Sequence, residues 1–267
     1  MDYTLNVKGR LMDLSQPKVM GILNVTPDSF YSDSRAQTEH DIIMRARKLV
    51  TEGAAIVDIG ACSTRPGSEP ASEAEEMQRL RLALNTLRRE MPQVVLSIDT
   101  FRPNVARMTV EEFGADIIND VSGGGEEMFR LVAKMGVPYV LSSVDGTMHD
   151  MLLTLAEKVQ LLRDFGQKDI IIDPGFGFGK TLEQNYAVMC EMERLQVLGL
   201  PVLVGVSRKS MIYRRLGGSP AESLNGTTVL NTLSLMKGAS ILRVHDVREA
   251  VECVSIVEGV RSKGSKE

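Results

Sequence analysis

The 267-residue chain has no tryptophan, three histidines, three cysteines and an aromatic share of 4%. Cys62, Cys190 and Cys253 are scattered and odd in number. They match neither a disulfide framework nor a zinc spacing, which points to a reducing compartment, the cytoplasm. No run reaches the roughly 20 apolar residues of a membrane-crossing helix. Residues 1–10 hold Asp2, Lys8 and Arg10 and no apolar core, so neither a signal peptide nor a membrane partner is expected. Positive charge is not in excess either. The net charge is -4, which argues against nucleic acid as a partner, because phosphate binding needs a basic face. No Gly-x-Gly-x-x-Gly follows the first apolar run, so a dinucleotide fold lacks its fingerprint. No linker or shift in composition divides the chain. One domain over residues 1–267 is expected, ending in a polar, flexible tail at 262–267.

What is present is ordinary globular material, 43% hydrophobic and 25% charged. An N-terminal hairpin within residues 1–15 is predicted, turning at Lys8-Gly9. A pattern then repeats: a short apolar run, a polar loop with glycine or proline, and an amphipathic helix. The strand cores are predicted at residues 19–23, 56–59, 94–98, 116–118, 139–141, 170–172, 202–206 and 241–244. Ser72-x-x-Glu75, Thr181-x-x-Gln184 and Ser219-Pro220-Ala221-Glu222 read as helix-starting capping boxes. Gly53, Gly136, Gly166 and Gly199 sit where helices stop. Leu80, Leu84 and Leu87 form a buried helical stripe. This alternation over about 250 residues predicts an α/β fold, a (β/α)8 TIM barrel; an open doubly wound sheet is the alternative.

The stretch at residues 169–180 organises the rest. Ile170, Ile171 and Ile172 are apolar on both faces of a strand, as in a sheet covered on both sides. Asp173 follows at the carboxyl end, then Pro174 and a glycine-rich turn. That carboxylate is either a turn former or a ligand-reading group. Other strand ends carry Asn24, Asp99, Asn119-Asp120, Ser207-Arg208-Lys209, Arg243 and His245. Asp58, between Val57 and Ile59, reads either as one more of them or as a structural carboxylate holding the next loop. Asp99, Asn119 and Asp173 suit a flat, nitrogen-rich heterocycle presenting N–H donors. Arg65, Arg243 and His245 suit phosphate or diphosphate. Asn24 offers an amide oxygen suited to Mg2+.

Asn24-Val25-Thr26-Pro27-Asp28-Ser29-Phe30 resembles the first signature of the dihydropteroate synthases, and Ser63-Thr64-Arg65-Pro66-Gly67 their second loop. Ser97-Ile98-Asp99-Thr100, Asn119-Asp120-Val121-Ser122-Gly123, residues 173–180, Ser207-Arg208-Lys209-Ser210 and Arg243-Val244-His245-Asp246 resemble the remaining motifs, in the family's order. The resemblance implies condensation of 6-hydroxymethyl-7,8-dihydropterin diphosphate with p-aminobenzoate, giving 7,8-dihydropteroate and diphosphate, by a dissociative substitution. It implies that Asp99, Asn119, Asp173 and Lys209 hold the pterin. Asn24 would meet the Mg2+ on the diphosphate, whose oxygens Arg65, Arg243 and His245 would bind. Phe30, Thr64, Pro66, Phe178, Lys209 and Ser210 would shape the p-aminobenzoate site. The catalytic set would be Asp99, Asp173, Lys209 and Arg65. A homodimer and a sulfonamide target are implied as well.

The loops after the first two barrel strands, with Phe30 and Arg65, are expected to act as lids. One segment departs from the family pattern. Where methionines commonly pack on the pterin, this chain has Ser142 and Val144. Cys62 reads as a bystander thiol and His149 as a helix-start residue facing solvent. Three rivals stay open: a pterin-binding paralogue without turnover, a methyltetrahydrofolate–corrinoid methyltransferase, and a Schiff-base aldolase using Lys209.

Overall fold

A computed structural model describes residues 3–26, 39–62 and 71–264. Two strands open the chain, β1 (Thr4–Val7) and β2 (Arg10–Asp13). They pair antiparallel through Lys8 (φ 51°) and Gly9 (φ 76°), the two left-handed residues of a type I′ turn. Then follow β3 (Lys18–Asn24), α1 (Glu39–Thr51), β4 (Ile56–Gly60), α2 (Glu73–Glu90), β5 (Leu96–Asp99), α3 (Pro103–Phe113), β6 (Ile117–Asp120), α4 (Glu126–Met135) and β7 (Tyr139–Ser142). The chain continues through α5 (Met148–Asp164), β8 (Ile170–Asp173), α6 (Leu182–Cys190), β9 (Leu203–Val204), α7 (Ser210–Leu216), α8 (Leu224–Met236), β10 (Ile241–Val244) and α9 (Val247–Gly264). All eight predicted barrel strands are present.

These strands form one parallel sheet in the order β8-β7-β6-β5-β4-β3-β10-β9. The ends meet through a single bridge between Ile172 and Val202, with Ile172 N–H donating to Pro201 at 3.0 Å. The sheet therefore nearly closes into the expected barrel, with helices outside.

Alternation along each strand sorts the side chains into two cores. Val57, Ile59, Ile98, Ile118, Ile170, Ile172 and Val244 face outward and pack under the helices with Leu80, Leu84 and Leu87. Met20, Ile56, Ile117, Val140, Ile171, Leu203 and Ile241 face inward and fill the amino-terminal half of the barrel. Leu5, Val7 and Leu14 plug that end from the hairpin. The next inward position is polar after Ile56, Ile117, Val140, Ile171 and Ile241 (Asp58, Asn119, Ser142, Asp173 and Arg243); on β3 it is Ile22 and beyond β9 Gly205. An apolar floor thus carries a polar mouth, which explains why the isoleucine run at residues 170–172 leads directly into Asp173.

Local signals hold in most places. Ser72 and Thr181 make complete capping boxes for α2 and α6. Gly136 (φ 64°) and Gly199 (φ 63°) take the left-handed helix stop. The box at Ser219 also forms, but it caps the single 3-10 turn Pro220–Glu222; α8 starts separately at Leu224. Helix α9 continues to Gly264, with Ser262 Oγ donating to the Gly259 carbonyl at 3.0 Å, and residues 265–267 of the expected tail lie outside the described residues.

Candidate active site

The site is assembled from inward positions near the carboxyl ends of several strands. On β10 this is Arg243, on β5 Asp99, on β6 Asn119, on β7 Ser142 and on β8 Asp173; on β4 it is Asp58, one inward position before Gly60. Arg243 sits at the centre. Its Nε donates to Asp58 Oδ2 at 2.7 Å and its Nη2 to Asp99 Oδ2 at 2.6 Å. Asn119 Nδ2 donates to the same Asp58 oxygen at 3.2 Å. Asp58 is fully buried, and Oδ1 of both Asp58 and Asn119 is a buried acceptor without a hydrogen-bond partner among the described residues.

Of the two readings open for Asp58, the contacts match a strand-end site residue: it anchors Arg243 and Asn119. Arg243, grouped in the sequence with the phosphate-binding cations, has two of its donors committed to carboxylates. Both contacts follow from register. Positions 58, 99 and 243 share the inward face, and one buried guanidinium bridges two carboxylates. The electrostatics agree. Burial pushes Asp99 up to about 7, with Arg243 opposing and Asp58 reinforcing the shift. Burial would depress Arg243, but Asp58 and Asp99 outweigh it and raise the guanidinium above its ordinary range.

Asp173 forms the turn: its Oδ1 accepts from the Gly175 amide at 2.7 Å, while Oδ2, turned to the mouth, lies 3.4 Å from Ser142 Oγ. Burial raises its pKa, opposed first by Lys209. The glycine-rich turn is tight for a reason: a Cβ on Gly175 (φ 65°) would fall 2.0 Å from the Ser143 carbonyl oxygen. Lys180 fastens the same junction, donating to the carbonyls of Ser143 (2.9 Å), Gly175 (3.1 Å) and Phe178 (3.3 Å).

Lys209 reaches in from the start of α7. It donates to the Phe176 carbonyl and lies 4.4 Å from the centre of the Phe178 ring. Desolvation lowers it to about 8, against the pull of Asp173. Ser210 is the next residue and opens α7. His245 follows β10, with Nδ1 3.0 Å from Ser207 Oγ. Asn24 ends β3 across from Gly60 of β4; a Cβ on Gly60 would stand 3.1 Å from Asn24 Oδ1, so the missing side chain leaves room beside that oxygen. Among the described residues no cluster of three His, Cys, Asp or Glu could hold a metal by itself. Asn24 Oδ1, with that room beside it, is a single oxygen donor of the kind Mg2+ takes.

Phe30, Thr64, Arg65 and Pro66 lie outside the described residues, as do residues 27–38 and 63–70 of the two loops expected to act as lids. Ser142 is buried where the family wall is commonly methionine, and Val144 is exposed. Burial raises the Cys62 thiol, with Glu76 adding to it, which fits a bystander. His149 is exposed in the first turn of α5, as expected. Asp120 is a local anchor, accepting from Ser122 and from Tyr139 Oη at 2.8 Å. No helix among the described residues is long and apolar enough to cross a membrane.

Comparison with known proteins agrees with this geometry. Residues 20–245 match the family described as pterin binding enzyme. The Escherichia coli (strain K12) dihydropteroate synthase is 36% identical, covering 97% of this chain and 96% of its own. The Bacillus subtilis dihydropteroate synthase is 39% identical, covering 92% of this chain and 89% of its own. Among solved structures, the Xanthomonas albilineans dihydropteroate synthase with 4-aminobenzoic acid superposes with a TM-score of 0.89 at 35% identity, covering 98% of this chain and 99% of that one. The Yersinia pestis enzyme in complex with a sulfonamide drug gives 0.88 at 36% identity, covering 98% of this chain and 100% of that one. The barrel and its polar mouth are those of a pterin-binding enzyme, and the chain belongs to that family. Within the family it falls among the dihydropteroate synthases, which are transferases.

Proposed function

We propose that the chain joins 6-hydroxymethyl-7,8-dihydropterin diphosphate to p-aminobenzoate, releasing diphosphate and 7,8-dihydropteroate. The observation that carries this is the group of buried acceptors at one mouth, Asp58, Asp99, Asn119 and Asp173, with Lys209 and His245 beside them. A flat ring with N–H donors along its edge satisfies the acceptors that the protein leaves unpaired. Asp99, Asn119, Asp173 and Lys209 hold the pterin. His245, Arg65 and the outer face of Arg243 meet the diphosphate. Phe30, Thr64, Pro66, Phe178, Lys209 and Ser210 form the p-aminobenzoate site.

The reaction is a dissociative substitution. The bond from the pterin methylene carbon to the diphosphate oxygen breaks, and its electron pair leaves with the diphosphate. The cation left on the methylene spreads into the pterin ring, where Asp99 and Asp173 offset it. The aniline nitrogen then donates its lone pair to form the new C–N bond and loses a proton to water. A weakly basic aniline needs no strong base. Lys209 balances Asp173 and shields the face next to Phe178. With Asn24 as a ligand, Mg2+ would supply charge neutralisation of the leaving diphosphate.

A coupled assay with both substrates tests the reading, followed by mass detection of 7,8-dihydropteroate. Product that requires p-aminobenzoate is expected. Pterin binding without product would identify a paralogue that has lost turnover. Sulfonamides, as analogues of p-aminobenzoate, are expected to compete in the same assay.

A homodimer is also proposed. Helix α8 exposes Val229, Leu233 and Met236, and α9 exposes Ile256 and Val260. Residues 251–257 contribute less than their composition suggests, since Cys253 and Val257 pack into the core. A C2 interface typically buries over about 1,000 Å². Only monomer in analytical ultracentrifugation at micromolar concentration would refute it.

A further inference from the structure

Strand β9 has only two residues, paired to Ile241 and Leu242 of β10. Beyond Val204 no ladder bond fixes the chain relative to β10, yet this is where Ser207 and Lys209 must be placed. Something other than the sheet sets their position.

Between them stands Arg208, with φ 56°, in the left-handed region that a residue with a Cβ disfavours. Such a conformation persists where surrounding contacts over-determine it. Here they do. The guanidinium grips Asp246 with two bonds, Nε to Oδ2 at 2.9 Å and Nη2 to Oδ1 at 2.7 Å. Nη1 donates to the carbonyls of Pro220 (3.2 Å) and Ala221 (3.1 Å), and the Arg208 amide donates to Thr227 Oγ1 at 3.1 Å. The side chains of Arg208 and Asp246 are 8% and 17% exposed, so the pair is largely withdrawn from solvent.

The sequence neighbours of this pair are the point. Arg208 precedes Lys209, and Asp246 follows His245. On the other side of Arg208, Ser207 Oγ lies 3.0 Å from His245 Nδ1 and accepts from the His245 amide at 3.2 Å. We propose that the Arg208–Asp246 fork is a positioning device that replaces the missing β9–β10 ladder and holds Lys209 and His245 at a fixed separation. It thereby sets the pterin end and the diphosphate end of one substrate relative to each other. Neither residue of the fork touches substrate. The proposal rests on the roles given above to Lys209 and His245.

The test uses Arg208→Gly, Arg208→Lys and Asp246→Asn in the full chain, each checked by thermal melting. Glycine adopts a positive φ freely, so Arg208→Gly keeps the backbone and deletes only the grip. Each variant is expected to melt cooperatively while KM for the pterin diphosphate rises and kcat/KM falls on the order of 10²-fold. Guanidinium ion at non-denaturing concentration is expected to restore part of the activity of Arg208→Gly and none of that of Asp246→Asn. If Arg208→Gly or Asp246→Asn kept kcat/KM within about twofold of the parent, the fork would not position anything and the proposal would fall. Should Arg208→Gly not melt cooperatively, Arg208→Lys decides alone: it keeps the charge and loses the fork, and full activity in it overturns the proposal. A parent protein making no dihydropteroate would instead defeat the functional reading itself.

Discussion

Replacing Asp58 by asparagine takes one charge and almost no volume from the floor of the pocket. In the native protein Asp58 Oδ2 accepts from Arg243 at 2.7 Å and from Asn119 at 3.2 Å. Arg243 keeps Asp99 at 2.6 Å, so the variant does not strand an unpaired guanidinium. The stability lost is that of one charge-assisted bond, about 1.5–3 kcal/mol. For a chain of this size that lowers Tm by about 3–12 °C. The more specific effect is electrostatic. Burial lifts Asp99 to about 7, Arg243 pulls it down and the Asp58 charge pushes it up. With residue 58 neutral the upward push from that side is gone, and Asp99 ionises at lower pH. Ionised Asp99 is the form that accepts pterin N–H groups. The acid limb of pterin affinity should therefore move below about 7 in Asp58→Asn. Isothermal titration of a pterin analogue across neutral pH, with melting curves at each pH, measures both effects. A limb that stays in place, together with an unchanged Tm, would mean that Asp58 does not act on Asp99 and that the central ion cluster is misread.

Three further outcomes are expected. Asp99→Asn and Asp173→Asn should each weaken pterin binding by roughly 1.5–3 kcal/mol, the cost of a charged hydrogen bond, and unchanged affinity in both would put the pocket elsewhere. The pH profile of kcat/KM should be bell-shaped. Below about 7 Asp99 is protonated and loses its acceptor charge; above about 8 Lys209 is neutral and no longer balances Asp173. Lys209→Arg should flatten the alkaline limb; if it does not, Lys180, which burial also lowers to about 8, is the group responsible. Last, p-aminobenzoate should bind far more weakly to free enzyme than to enzyme preloaded with pterin, Mg2+ and diphosphate, and equal affinity in the two titrations would mean a preformed site.

Much of this was legible in the sequence because a parallel barrel strand is a short apolar run ending in chemistry. Ile170, Ile171 and Ile172 show it most clearly: alternate residues go to the floor and to the helix layer, and the next one is Asp173. The hairpin was legible for a similar local reason, since Lys8-Gly9 suits a type I′ turn. Asp58 was harder. Its neighbours Val57 and Ile59 made it look structural, although period-2 counting from Ile56 already puts residue 58 on the inward face. The pairing of Arg243 could not be read at all. Residue type marks a cation, but only barrel closure brings residue 243 against residues 58 and 99. The box at Ser219 misled because capping chemistry is the same for a 3-10 turn as for an α-helix. The left-handed Arg208 carries no sequence signal, since its conformation is imposed by Asp246 and by two carbonyls more than ten residues away.

Catalysis in this mouth requires a pterin lying edge-on to the carboxylates. A crystal structure of the chain with pteroic acid measures this. The expected result is the pterin edge within hydrogen-bond distance of Asp99, Asn119 and Asp173, its face beside Lys209, and the aminobenzoate arm leading toward Phe178 and Ser210. A pteroic acid bound elsewhere, with the Arg243 cluster left closed on itself, would contradict it.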